Sequence, residues 1–151
     1  MKNFAVLLVS LILLGGCTVA NYVVPAYTKL EFSVSEEVNP DLNGRPSPVV
    51  VKVYELSSRT LFESHHFFEL YDEPEKVLGP DLIARDEFEF YPGSENSYDV
   101  TLQPGVRYTG ILVAYRDLEN ARWREIVEID NTDYETYQID VGKLAISVLN
   151  K

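Results

Sequence analysis

From Lys29 onward apolar and polar residues alternate with a period of two, a rhythm that confines most of the chain to β-strands. In Lys29–Ser35 the residues Leu30, Phe32 and Val34 alternate with Lys29, Glu31, Ser33 and Ser35, which predicts a strand with one wet face. Val49–Leu56, at its start, and Tyr108–Arg116 are apolar on both sides, as central strands would be. Glu87–Phe90, Tyr98–Leu102, Trp123–Ile129, Tyr137–Val141 and Leu144–Leu149 bring the expected number to eight. Turn chemistry separates them at Pro92-Gly93, Pro104-Gly105 and Asn131-Thr132-Asp133. Short strands spaced in this way predict an all-β, two-sheet sandwich.

One stretch breaks the rhythm. Between Ser58 and Leu82, the residues Leu61, Phe62, Phe67, Phe68, Leu70 and Tyr71 recur at spacings of three and four. Ser64 is placed to cap a helical turn, and Pro74 to begin another that Gly79 ends. The expectation is one or two short helices between the second and third strands, packed over an edge of the sandwich.

The first residues follow a different logic. Lys2 precedes an eleven-residue apolar run, Phe4–Leu14. As a helix that run reaches about 16 Å, too short for a hydrocarbon layer of about 30 Å. It fits a signal peptide spanning residues 1–16. Leu14-Gly15-Gly16-Cys17 then places small residues directly before the sole cysteine, the arrangement of a bacterial lipobox. Cleavage is expected between Gly16 and Cys17, with the Cys17 thiol carrying diacylglycerol and the new N-terminus an acyl chain. Residues 17–28, interrupted by Pro25, are expected to form a tether, and 29–151 the folded domain.

Charge and residue inventory exclude several functions. The net charge of −11 becomes −12 once Lys2 is set aside with the leader, and no basic run exists to meet nucleic-acid phosphates. The acidity serves either solubility or the steering of a basic partner. A single cysteine allows no internal disulfide. His65 and His66 are adjacent, so on a helix they diverge; His65 with Glu69 supplies only two of the ligands a zinc site needs. Glu87 and Glu89 share the wet face of a strand, and Arg116-Asp117 and Trp123-Arg124, which flank a short turn, read equally as strand-end ion pairing with a core indole or as binding residues. No nucleophile elbow, P-loop or dinucleotide fingerprint occurs, so the expectation is a protein without catalytic residues, metal or bound small molecule.

The connection between the first two strands is the informative loop. Glu36–Pro48 (EEVNPDLNGRPSP) runs thirteen residues, beyond the two to five usual for hairpins. Pro40, Pro46 and Pro48 restrict its backbone, while Asn39, Asp41, Asn43 and Gly44 favour turns. Such a loop is either a solvated crossover between sheets or a stiffened arm for docking another protein, since a stiff loop loses less entropy on binding.

The run Asn39-Pro40-Asp41, followed by Gly44-Arg45-Pro46-Ser47-Pro48-Val49-Val50-Val51-Lys52-Val53-Tyr54-Glu55-Leu56, resembles the TssJ/VasD-like outer-membrane lipoproteins of the type VI secretion system. The similarity continues through Phe62, Phe67-Phe68-Glu69-Leu70, Leu78-Gly79-Pro80-Asp81-Leu82, Ala114-Tyr115-Arg116-Asp117 and Trp123-Arg124, and fades beyond Asp130. The resemblance implies a transthyretin-like β-sandwich with a small helical insertion. It also implies a non-enzymatic lipoprotein on the periplasmic face of the outer membrane that binds the periplasmic domain of the inner-membrane protein TssM. The family's docking element maps onto Glu36–Pro48, which would put Asn39, Pro40, Asp41, Leu42, Asn43, Gly44, Arg45 and Pro46 at the contact, with Leu42 as apolar anchor. Two other readings make different demands. A small-molecule hydrolase on the same scaffold would carry His and Arg clusters and a terminal Tyr-Arg-Gly-Ser, where this chain has Ser147-Val148-Leu149-Asn150-Lys151. An envelope ligand carrier would need a large apolar pocket between the sheets.

Overall fold

A computed structural model describes residues 26–150 of the chain. The expected signal peptide, the Gly16–Cys17 cleavage site and most of the tether lie outside those residues.

The period-two segments become eight strands: β1 (Tyr27–Val34), β2 (Val49–Leu56), β3 (Leu82–Phe90), β4 (Glu95–Asp99), β5 (Tyr108–Ala114), β6 (Arg124–Glu128), β7 (Tyr134–Val141) and β8 (Ile146–Asn150). They form two four-stranded sheets, ordered β4-β1-β7-β8 and β3-β2-β5-β6, so the expected sandwich is present. β1 and β7 run parallel, with Tyr27 opposite Tyr134 and Val34 opposite Val141, while the other paired strands are antiparallel. Alternation decides which side chains meet. Leu30, Phe32 and Val34 from β1 and Ile139 and Val141 from β7 face Val49, Val51 and Val53 of β2 and Ile111 and Val113 of β5. Phe32 reaches Phe90 across the sheets at 5.2 Å between ring centres, and Phe88 reaches Tyr98 at 5.8 Å. These side chains fill the space that a ligand carrier would keep open.

The insertion differs from expectation in number and position. It holds three short helices, α1 (Thr60–Ser64), α2 (Phe67–Asp72) and α3 (Pro74–Leu78), and then a 3₁₀ turn, Gly79–Asp81. They cover the outer face of the β3-β2-β5-β6 sheet rather than an edge, because β2 and β5 are apolar on that face too: Tyr54, Leu56 and Leu112 pack with Phe62, Phe67, Leu70 and Leu78. Even Lys52 is covered there. Its ammonium donates to the Tyr71 carbonyl at 2.9 Å, lies 3.8 Å from the Tyr71 ring centre and pairs with Glu87 at 3.0 Å. Pro74 opens α3 and Gly79, at φ 51°, ends it, as the sequence predicts. Ser64 instead closes α1, and the cap of α2 is His66, whose backbone N–H donates to the Glu69 carboxylate at 2.9 Å.

Strand ends shift where polar side chains intervene. β1 starts at Tyr27, two residues before the expected start of the folded domain at Lys29. The expected strand Tyr98–Leu102 is displaced to Glu95–Asp99, because the fully buried Glu55 captures the chain beyond Asp99. Its carboxylate accepts the Tyr98 hydroxyl at 2.7 Å, the Thr101 N–H at 2.8 Å and the Thr101 hydroxyl, and Leu102 takes φ 50°. β8 begins at Ile146 rather than Leu144, since the Gly142 N–H donates to the Ala145 carbonyl and closes a turn.

Gly110 on β5 lies under the insertion, and a methyl group there would sit 2.8 Å from the Phe62 ring. Gly110→Ala is therefore expected to destabilise the fold by about 1–3 kcal/mol through overpacking. Urea unfolding checks this, and an unchanged midpoint would mean that Phe62 does not rest on β5.

Four connections share one pole: β1–β2, β3–β4, β5–β6 and β7–β8. The register puts them there, with Val49 opposite Phe90, Val50 opposite Ala114, Leu112 opposite Arg124 and Val34 opposite Val141. Tyr27 sits at the other pole. The eight residues of β1 separate the two by about 25 Å.

Candidate functional site

The β1–β2 loop is built as a pinned base with a braced tip. At the base, Val38 is buried in the core and Asn39 beside it adopts φ 49°. Asn39 is almost fully buried and joins three connections of the pole. Its N–H donates to the Lys143 carbonyl at 3.0 Å, its side-chain amide donates to the Pro48 carbonyl at 2.8 Å, and its side-chain oxygen accepts the Arg116 N–H at 2.8 Å. A short polar residue that tolerates a left-handed backbone is what this position needs.

Above the base the loop folds back on itself. The Ser47 N–H donates to the Val38 carbonyl, the Asp41 N–H to the Arg45 carbonyl and the Gly44 N–H to the Asp41 carbonyl. Gly44, at φ 77°, supplies the left-handed residue that closes the turn. The Asp41 carboxylate braces the tip from inside. One oxygen accepts the Asn43 and Arg45 backbone N–H groups at 2.8 and 3.0 Å, and the other accepts the Arg45 guanidinium at 2.8 Å. The Arg45 backbone N–H, then its guanidinium, hold the Asp41 carboxyl below its ordinary value of 3.8. The brace is therefore complete above that value and is lost as acid protonates the folded loop below it.

The eight residues expected at the contact thus divide by role. Asn39 lies inside the base, and Pro40 and Asp41 are half-buried. Leu42, Asn43, Gly44, Arg45 and Pro46 are exposed, and Leu42 is fully clear of its own domain. An isolated apolar side chain on a stiff support has the form of an anchor without its pocket.

The loop does not stand alone. Between Pro40, Leu42 and Asn43 on one side and Arg116, Asp117 and Leu144 on the other lies a cleft of about 670 Å³. Sequence reasoning misses Arg116, Asp117 and Leu144 as members of the site. The antiparallel pairing of β2 with β5 sets Val50 beside Ala114 and so brings the first two next to the loop, a pairing that residue order does not announce. Nor do Arg116 and Asp117 form the expected ion pair: both Asp117 oxygens accept the Asn120 amide at 3.0 Å. Trp123 is half-buried rather than a core indole. It meets Phe67 edge-on at 5.3 Å, and Arg124 donates to the Phe62 and His65 carbonyls, so the pair fastens the insertion to β6.

The other candidate chemistry has structural employment. The His65 ring approaches the Leu61 carbonyl at 2.8 Å, and Glu69 is held by the His66 N–H. Glu87 pairs with Lys52, and Glu89 accepts the Tyr91 hydroxyl at 3.0 Å. Among the described residues, no three His, Cys, Asp or Glu side chains converge.

Residues 26–144 match the family of type VI secretion lipoproteins that includes VasD, EvfM and TssJ. The chain is similar to the type VI lipoprotein TssJ1 of Pseudomonas aeruginosa, with 30% identity over 85% of this chain and 98% of that one, at a TM-score of 0.81. It is also similar to Lip of Serratia marcescens, a membrane-bound component of the type VI secretion system (25% identity, 85% and 99% covered, TM-score 0.74). At the level of fold it matches a chain in a structure of the TssM C-terminal domain from EAEC (23% identity, 81% and 99% covered, TM-score 0.69). No curated protein sequence matches it.

Proposed function

Because the chain belongs to the type VI secretion lipoprotein family, a structural component of that system, we propose that it is an outer-membrane anchor that grips a TssM-like protein rooted in the inner membrane. In this reading the leader is cleaved after Gly16. Lipid on Cys17 holds the mature chain in the inner leaflet of the outer membrane, and the β1–β2 loop meets the partner's periplasmic domain. The function is mechanical, and none of its steps is chemical.

The observation that carries the reading is the opposition of the two poles. The chain enters the sandwich at Tyr27, and the loop projects from the far end of β1. Residues 18–26 extend to at most about 30 Å. In this reading the anchor pole lies toward the lipid, and loop and cleft face away from the membrane. A braced loop also transmits load better than a floppy one, because little of its backbone is left to straighten.

The direct test is a titration of the mature lipoprotein, in detergent, with the periplasmic domain of a TssM-like protein. Saturable binding is expected, with an association rate that falls as salt rises, since a mature chain one charge more acidic than the −11 of the full sequence steers a basic surface toward itself. Absence of binding would overturn the reading. A rate indifferent to salt would remove only the electrostatic part.

A further inference from the structure

Arg116 is out of place in a chain this acidic. Eleven lysines and arginines fall within the described residues. Ten of them reach a carboxylate, a backbone carbonyl or an aromatic ring. Among the described residues only the Arg116 guanidinium makes no hydrogen bond, ion pair or ring contact. It lines the cleft beside the loop.

Carboxylates stand nearby, so the absence of a pair needs a reason, and the neighbours provide it. The Asp41 oxygens accept two backbone N–H groups and the Arg45 guanidinium, so Arg116 acts on that carboxylate only through its field, and both Asp117 oxygens face the Asn120 amide. Meanwhile the Arg116 backbone is fixed through its N–H on Asn39, and the Tyr115 hydroxyl donates to the Gly142 carbonyl at 3.1 Å. The guanidinium is thus presented from a rigid position with its donors unused. The cleft walls contributed by Pro40, Leu42 and Leu144 are apolar, so a partner seated there would exclude water and strengthen any ion pair it formed.

We propose that this cleft receives an acidic side chain of the docking partner, paired with Arg116 and flanked by an apolar side chain that packs on Leu42 and Leu144. The inference rests on the docking reading above and adds the chemistry of the contact. The general acidity of the domain brings a basic surface close. Arg116 then demands one negative charge at one place, and that fixes the register of the complex. A planar guanidinium suits the task because it can hold a carboxylate through two parallel bonds.

The experiment measures affinity for the TssM-like periplasmic domain with Arg116→Gln, Arg116→Glu and, in parallel, Leu42→Asp. Arg116→Gln keeps the backbone N–H on Asn39 and is expected to unfold at the wild-type temperature while binding at least ten-fold more weakly. Arg116→Glu is expected to lose more, and to recover when one Asp or Glu of the partner is changed to Arg. If Leu42→Asp loses binding while both Arg116 variants bind as wild type, the acidic occupant is wrong and the docking reading stands. If neither position matters, or the wild type does not bind, the docking reading fails and takes this inference with it.

Discussion

A Leu42→Asp chain is expected to lose roughly 100-fold in affinity for the TssM-like periplasmic domain while its thermal unfolding stays at the wild-type temperature. The two halves of that result have separate causes. Leu42 is fully exposed, so its own domain loses no buried area when the side chain changes. In the complex the same side chain would be the buried anchor. Replacing it forfeits about 2 kcal/mol of apolar burial and forces a charge toward an apolar pocket. Neighbouring loop positions do not permit so clean an experiment. Replacing the whole of 39–45 by a tight turn should abolish binding outright, but it also removes Asn39 and leaves the Arg116 N–H and the Pro48 carbonyl without their partner. Each group so orphaned costs up to about 1–3 kcal/mol, depending on how far water reaches it. Full binding by Leu42→Asp would move the contact off the loop tip; a large fall in melting temperature would show that Leu42 is seated in its own domain.

Leu42 can be singled out from sequence because it is the lone large apolar residue in a stretch of prolines and turn formers. The architecture beneath it is legible to a similar depth. Period-two alternation is a direct consequence of the pleat, so the wet and dry faces of β1 and the apolar character of both faces of β2 and β5 follow from residue order alone, whereas what covers the outer face does not. Elements governed by one long-range contact are not legible in this way. Glu55 sits at an inward position of an apolar strand, and only the folded chain shows that Tyr98 and Thr101 meet it there and so displace β4. The parallel pairing of β1 with β7 leaves no mark on either strand. The loop illustrates the same division. Its stiffness is readable from Pro40, Pro46 and Pro48, whereas its actual braces, Asp41 on Arg45 and Asn39 across to Arg116, are contacts between particular atoms. Arg116 itself reads as a strand-end charge, because an unpaired cation cannot be told from a paired one until its neighbours are placed.

The largest expected change in location comes from Cys17→Ser. The mature chain should pass from wholly membrane-bound to wholly soluble, provided a cleavable leader without a lipobox exports it, so that the unlipidated chain does not keep its apolar leader. The magnitude follows from the lipid: about 0.8 kcal/mol for each buried methylene makes one acyl chain marginal and two or three effectively permanent. None of the described helices is long and apolar enough to cross a bilayer, and the net charge is strongly negative. Fractionation reads the location, and the titration with the TssM-like domain reads the grip. Because the loop lies about 25 Å from Tyr27, the soluble chain is expected to bind that domain with unchanged affinity while no longer joining it to the outer membrane. Anchor and grip are then separable functions of opposite poles. If the soluble chain still sedimented with outer-membrane vesicles, the hold would belong to the folded surface at the anchor pole, where Tyr27 and Tyr134 pack edge-on at 5.5 Å, and Cys17 would not be the anchor.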